Sequence, residues 1–177
     1  MNHLNLLAPE TYNIVSEIEK HASNQNKQAI IYENGVEEPI SVTYSELIKN
    51  ANKVGHVLLN HGLKKGDKVL IMMPRAIITY ELYIAALKLG IAIIPSSEML
   101  RTKDLQYRIT HGEINAVIAL ADFIEEFRDI KEYHELTKFV INGNEENWIS
   151  IEEEKVKQSD ELDTANTTRD AVSYTHL

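Results

Sequence analysis

Residues 62–97, GLKKGDKVLIMMPRAIITYELYIAALKLGIAIIPSS, constrain the fold more than any other stretch of the chain. A Lys-Lys-Gly-Asp turn leads into an apolar run at 68–73, which suits a strand covered on both faces. Pro74 stops it. Ile78, Leu82, Ala85, Ala86 and Leu89 then recur at helical spacing, one face of an amphipathic helix. Gly90 sits where a left-handed helix cap is wanted. Residues 91–94 open a second strand, which Pro95 is expected to end. In open α/β sheets ligands bind beyond the carboxyl ends of the strands. Here those ends are Met73-Pro74-Arg75 and Pro95-Ser96-Ser97.

The flanking sequence extends this pattern. Residues 11–22 read as a helix with Ile14, Val15, Ile18 and Ala22 on its inner side. Residues 28–32 and 40–42 flank Asn34-Gly35, a hairpin signal. Thr43 and Glu46 form a capping box for a helix that turns Leu47, Ala51, Val54 and Leu58 inward and ends at Gly62. Gly55 inside that helix costs about 1 kcal/mol against alanine and marks close packing. After the central unit, Thr102 is expected to cap a helix running to about Thr110, with Asp104 favourable in its first turn. Residues 115–120 and 138–141 are further apolar strands. Asp122 and Glu125 repeat the capping-box spacing before a short helix, Asn142-Gly143-Asn144 is a turn, and 151–161 reads as a polar surface helix. Four strands alternating with helices predict an α/β fold with a parallel sheet, flanking helices and a β-hairpin.

Composition excludes several function classes. The net charge is −9 and the cations are scattered, which argues against nucleic acid or an anionic membrane as the main partner. No apolar run approaches the roughly 20 residues of a membrane span. Without cysteine there is no disulfide, thiolate nucleophile or cysteine zinc site, which fits a cytoplasmic protein. The N-terminal MNHLNLLAPETYN has neither the charged nor the apolar region of a signal peptide.

Few residues group into a chemical site. Gly62 and Gly66 flank a surface turn, and no Gly-Lys-Ser/Thr follows, so there is no glycine-rich phosphate loop. The seven histidines show no metal-ligand spacing. Glu125, Glu126 and Asp129 have no aligned partner for paired-carboxylate chemistry, and 152–154 is a solvated face. What remains is the loop from Pro95 to Asp104. It puts Ser96, Ser97, Arg101 and Lys103 between a strand end and a helix start, where anions find N–H donors and positive charge. On the residues alone two readings stand. The serines and threonine end a strand and cap a helix with the cations solvated, or the loop receives an anionic ligand.

YSEL after a hairpin, then GLKKGDKVLIMMPR, AALKLGIAIIPSSEMLRTKDLQYRI and INAVIA resemble the N-terminal part of AMP-forming acyl-CoA synthetases, in the adenylate-forming superfamily. PSSEMLRTKDLQYRI is nearest the acetyl-, branched- and medium-chain group. The resemblance is collinear over about residues 6–170. It implies a ligase that uses ATP and magnesium to turn a small carboxylic acid into an acyl-adenylate, then transfers the acyl group to coenzyme A. It also implies that 1–170 is the first portion of that family's large domain. The phosphate loop, nucleotide segment, hinge and catalytic lysine lie beyond residue 177 in such proteins, so no catalytic residue is assigned here. For coenzyme A the resemblance implies Arg101 first, Lys103 second, and Arg128 on the helix after INAVIA as a further cofactor-binding candidate, with Ser96 and Ser97 beside them. A carrier-protein-loading adenylation enzyme and a non-catalytic doubly wound binding domain are the alternatives.

The ending breaks the family pattern. Ser173-Tyr174-Thr175 either opens the phosphate loop early or belongs to a tail. All of 171–177, AVSYTHL, fits one reading frame of a transposase mosaic-end sequencing adapter. The expectation is therefore a non-native tail at 171–177, a truncated chain without ligase activity, and an exposed sheet edge.

Overall fold

The computed structural model describes residues 8–171 and Thr175. The chain opens with helix α1 (Val15–Ala22) and an antiparallel hairpin of β1 (Gln28–Tyr32) and β2 (Ile40–Thr43). Asn34 Oδ1 accepts the N–H groups of Val36 and Glu37 in the turn, and Gly35 takes φ +74°. α1 is shorter than the periodicity predicts. Thr11 forms a bridge with Thr168, and Asn13 Oδ1 accepts the Val15 N–H, turning the chain into the helix only there. Ile14 is exposed and Val15 is buried.

Thr43 starts α2 (Tyr44–Asn60) with the expected capping box. Its Oγ1 accepts the Glu46 N–H at 3.2 Å, and Glu46 Oε2 accepts the Thr43 N–H at 2.9 Å. These bonds, the Thr43 N–H foremost, hold the Glu46 carboxyl below its ordinary pKa.

The strand–helix–strand unit is β3 (Lys68–Met72), α3 (Ile77–Leu89) and β4 (Ala92–Ser96), and Gly90 caps α3 at φ +72°. Two expectations change here. α3 is not simply amphipathic, because sheet, α1 and α2 surround it and Glu81 and Lys88 are buried with the apolar face. Each has an ion partner: Lys155 for Glu81, and Glu19 at 2.6 Å for Lys88. Pro95 does not end β4 but lies inside it, opposite Ile71. The Ala92 N–H points to β3, donating to Asp67 O at 2.8 Å, so the main chain of Pro95, an odd number of residues on, points away. β4 is the edge strand there, and a missing N–H costs no ladder bond.

α4 (Thr102–Gly112), β5 (Ala116–Leu120), a 3-10 helix (Ala121–Phe127), β6 (Thr137–Ile141), β7 (Ile149–Ser150) and α5 (Ile151–Lys155) complete the fold. The parallel sheet has the order β4-β3-β5-β6-β7. β7, two residues long, carries no sequence signal. The spacing at Asp122 makes no side-chain cap, and the segment is a 3-10 helix. α5 stops at Lys155, well short of 161. Residues 158–170 run instead as an extended strap, whose Asp160 and Glu161 carbonyls bond Asn52 Nδ2 and His56 Nε2, each at 2.7 Å. A polar segment without an apolar face gains more from these tertiary bonds than from a further turn of helix.

Strand alternation divides the core. Val69, Ile71, Ile93, Ile118, Phe139 and Ile141 pack with α2 and α3 on one face. Leu70, Met72, Ile94, Val117, Ala119 and Val140 pack with α4 and the 3-10 helix on the other. α1 and the hairpin form a third cluster against α2 and α3. Gly55 is a close approach, as expected: an added Cβ would run into Leu162 of the strap. At the expected open edge, the Ile93 carbonyl accepts the Thr175 N–H at 3.1 Å.

Candidate functional site

The strand order places the switch point of this doubly wound sheet between β3 and β5, since the chain leaves β3 for β4 on one side and returns to β5 on the other. The carboxyl-end rim is built from Pro74 and Arg75 after β3, Ser97 to Leu100 after β4, and Ala121 after β5. Arg75 is exposed.

Ser96 belongs to β4 rather than to the loop. It is buried, with its Oγ 3.5 Å from the Ile94 carbonyl. Ser97 shapes the turn, its Oγ accepting the Met99 N–H at 3.2 Å. Arg101, not Thr102, is the residue that precedes α4. Its Nη1 donates to the Glu98 and Leu100 carbonyls at 3.3 and 3.2 Å, and its Nε lies 3.6 Å from Glu126. Glu126 Oε2 also accepts the Thr102 N–H at 2.9 Å and Thr102 Oγ1 at 3.1 Å. An internal carboxylate thus fills the anion position at the start of α4. Arg128 follows the 3-10 helix as its C-cap and is bound by two carboxylates, Glu125 at 2.9 Å and Glu145 at 3.0 Å.

A second clamp holds the middle of α4. Glu132 accepts from Thr110 Oγ1 at 2.7 Å and from Gln106 Nε2, and Gln106 Oε1 accepts the Lys131 N–H. Those side-chain bonds, Thr110 foremost, keep the Glu132 carboxyl below its ordinary pKa. With Leu105 and Ile109 buried beneath it, α4 is fixed and its outer face is presented rigidly.

That outer face carries a groove of about 300 Å3 lined by Leu100, Lys103, Asp104, Tyr107 and Arg108. Tyr107 is 61% exposed and stacks on His111, with centroids 5.3 Å apart and planes 13° apart. Lys103 and Arg108 make no hydrogen bond or ion pair among the described residues. The structure therefore brings Lys103 together with Arg108, which the sequence reading did not single out. It ties Arg101 to its own loop and Arg128 to acidic neighbours. Arg108 was legible as the residue four after Asp104, on the same side of the helix. Elsewhere, burial pushes the Lys138 amine down in pKa, but it donates to the Tyr133 and Leu136 carbonyls and is structural.

Lys103, Tyr107 and Arg108 thus line one groove on the outer face of α4, in an α/β domain with a doubly wound parallel sheet. Residues 18–175 match the profile of the AMP-binding enzyme family. YtcI of Bacillus subtilis (strain 168), described as an uncharacterized acyl-CoA ligase, is 40% identical over 172 residues, 96% of this chain and 32% of that protein. Acetyl-coenzyme A synthetase of the same bacterium is 29% identical over 152 residues, 82% of this chain and 26% of that protein. The crystal structure of the anthranilate CoA ligase AuaEII in complex with anthranoyl-AMP superposes with a TM-score of 0.85 at 20% identity, over 94% of this chain and 32% of that one. At that identity the likeness concerns the fold. The chain belongs to the AMP-binding enzyme family, and it spans about a quarter to a third of the length of these two bacterial relatives.

Proposed function

We propose that the protein carrying this chain is an AMP-forming acid–thiol ligase. It joins a carboxylate to the α-phosphate of ATP with loss of pyrophosphate, then transfers the acyl carbon from AMP to the thiol sulfur of coenzyme A. A short, branched or medium-chain acid fits the loop PSSEMLRTKDLQYRI by resemblance. Within this chain the share of the work is recognition of the thiol donor's nucleotide end. The observation that carries this reading is the α4 groove: Lys103 and Arg108, both without partners among the described residues, line it with the exposed ring of Tyr107. A phosphate takes the two cations, and an adenine stacks on the ring. Arg101 acts through its loop, and Ser97 helps to shape that loop. Among the described residues no three His, Asp or Glu side chains converge as metal ligands. Residues 1–170 are read as the leading part of the enzyme's large domain, and 171–177 as a non-native tail. The nucleotide sequence across codon 170 tests that division.

The direct test is an NMR titration of the 177-residue chain with adenosine 3′,5′-bisphosphate, which carries the phosphate pattern of coenzyme A. Amide shifts at Lys103, Tyr107 and Arg108, absent with adenosine alone, are the expected result. Shifts confined to other residues, or none, overturn the assignment.

A further inference from the structure

The most buried cation among the described residues takes no part in the groove. Lys88, on the last turn of α3, is 2% exposed. Its Nζ donates to Glu19 Oε1 of α1 at 2.6 Å and to Asn52 Oδ1 of α2 at 2.8 Å. Asn52 passes the contact on, its Nδ2 donating to the Asp160 carbonyl of the strap at 2.7 Å. The main chain at the same place meets the strap too, since the Lys88 carbonyl accepts the Ala165 N–H at 2.9 Å. One residue thus joins three helices to an extended segment with no secondary structure of its own.

The later part of the strap, residues 165–169, is also paired with residues 10–13. Tyr12 N–H donates to the Thr167 carbonyl at 2.8 Å, Arg169 N–H donates to the Glu10 carbonyl at 3.1 Å, and Thr11 bridges Thr168. Asn13 Nδ2 donates to the Leu87 carbonyl at 2.9 Å, beside Lys88. Two segments without regular structure therefore depend on each other, on one end of α3 and on α2, where Asn52 and His56 bond the strap and Leu162 packs against Gly55. Neither supplies a strand to the parallel sheet.

We infer that Lys88 is a buried latch, and that residues 8–13 and the strap 158–170 open and close as one unit, separately from the sheet. The charge decides this. A buried ammonium is tolerated only while its acceptors surround it. Removing it leaves Asn52 and the Glu19 carboxylate short of a donor beneath the strap. Lifting the strap lets water reach both, so the lost interaction is relieved by local opening rather than by unfolding the core.

Hydrogen exchange on the 177-residue chain tests this without any ligand. In Lys88→Met, the Tyr12, Ala165 and Arg169 amides are expected to exchange at least tenfold faster, by a common factor, while Leu70, Ile71 and Ile118 in the sheet stay within twofold of the unsubstituted chain. Glu19→Gln, at the more exposed end of the latch, is expected to give the same pattern with a smaller factor, and serves if the methionine variant does not fold. Unchanged strap amides in a folded variant overturn the inference. So does a rise in strap and sheet amides by the same factor, or one segment responding without the other.

Discussion

Replacing Arg108 by glutamine is the most informative single perturbation. The residue is half-buried in the α4 groove, five positions after Lys103, and has no partner among the described residues. Glutamine keeps the helix propensity and most of the stem, and removes the charge and the fork. A hydrogen bond between charged groups contributes about 1.5–3 kcal/mol. The groove is open to water and salt, so the lower end applies, and about 1.4 kcal/mol corresponds to roughly a tenfold weaker Kd for adenosine 3′,5′-bisphosphate. Arg108→Lys keeps the charge without the bidentate geometry and is expected to fall between the two. Because no bond among the described residues is broken, unfolding free energy is expected to stay within about 0.5 kcal/mol of the unsubstituted chain. Calorimetric titration at two salt concentrations, with a thermal melt of each variant, reads both quantities. A Kd changed by less than twofold refutes the phosphate role. A melt lowered by many degrees refutes the premise that the guanidinium has no structural partner.

Two stability predictions accompany it. Thr43→Ala breaks the capping box of α2 and is expected to cost about 1 kcal/mol in urea unfolding. Glu46 has a lowered folded pKa, so its contribution is present above its unfolded value and is lost as pH falls through the folded one. In Thr43→Ala the acid-side loss of stability attributable to Glu46 is expected to shrink, and an unchanged pH slope below the ordinary glutamate range contradicts it. Lys155→Met leaves the Glu81 carboxylate buried without its ion partner and is expected to cost roughly 3 kcal/mol, whereas the double variant Glu81→Leu/Lys155→Met is expected to lie within about 1 kcal/mol of the parent. Equal losses in the single and double variants would show that packing, not the uncompensated charge, governs the site.

Much of the fold was legible because its signals are local. The apolar run at 68–73, the Gly90 cap and the Thr43 box each act within a few residues, and each is found where the sequence puts it. The errors have a common cause in long-range bonds. α1 begins late because Thr11 pairs with Thr168, and α5 ends early because Asn52 and His56 take the strap's carbonyls. Pro95 read as a stop, yet it sits within a strand because β4 is an edge, a fact of sheet order. The groove divides in the same way. Lys103 was recognisable as a cation near a helix start. That Glu126 would engage Arg101, that Glu145 would join the local Glu125 on Arg128, and that Arg108 would have no partner among the described residues depends on elements brought together from different parts of the chain.

The sequence by itself determined the alternation of strand and helix and the two-sided burial of the sheet. Hydrophobic period, turn residues and caps are short-range properties. The tertiary structure alone decided which cations stay available and which polar groups are locked in the interior, because the partner that neutralises a charge is chosen by packing in space and not by position along the chain.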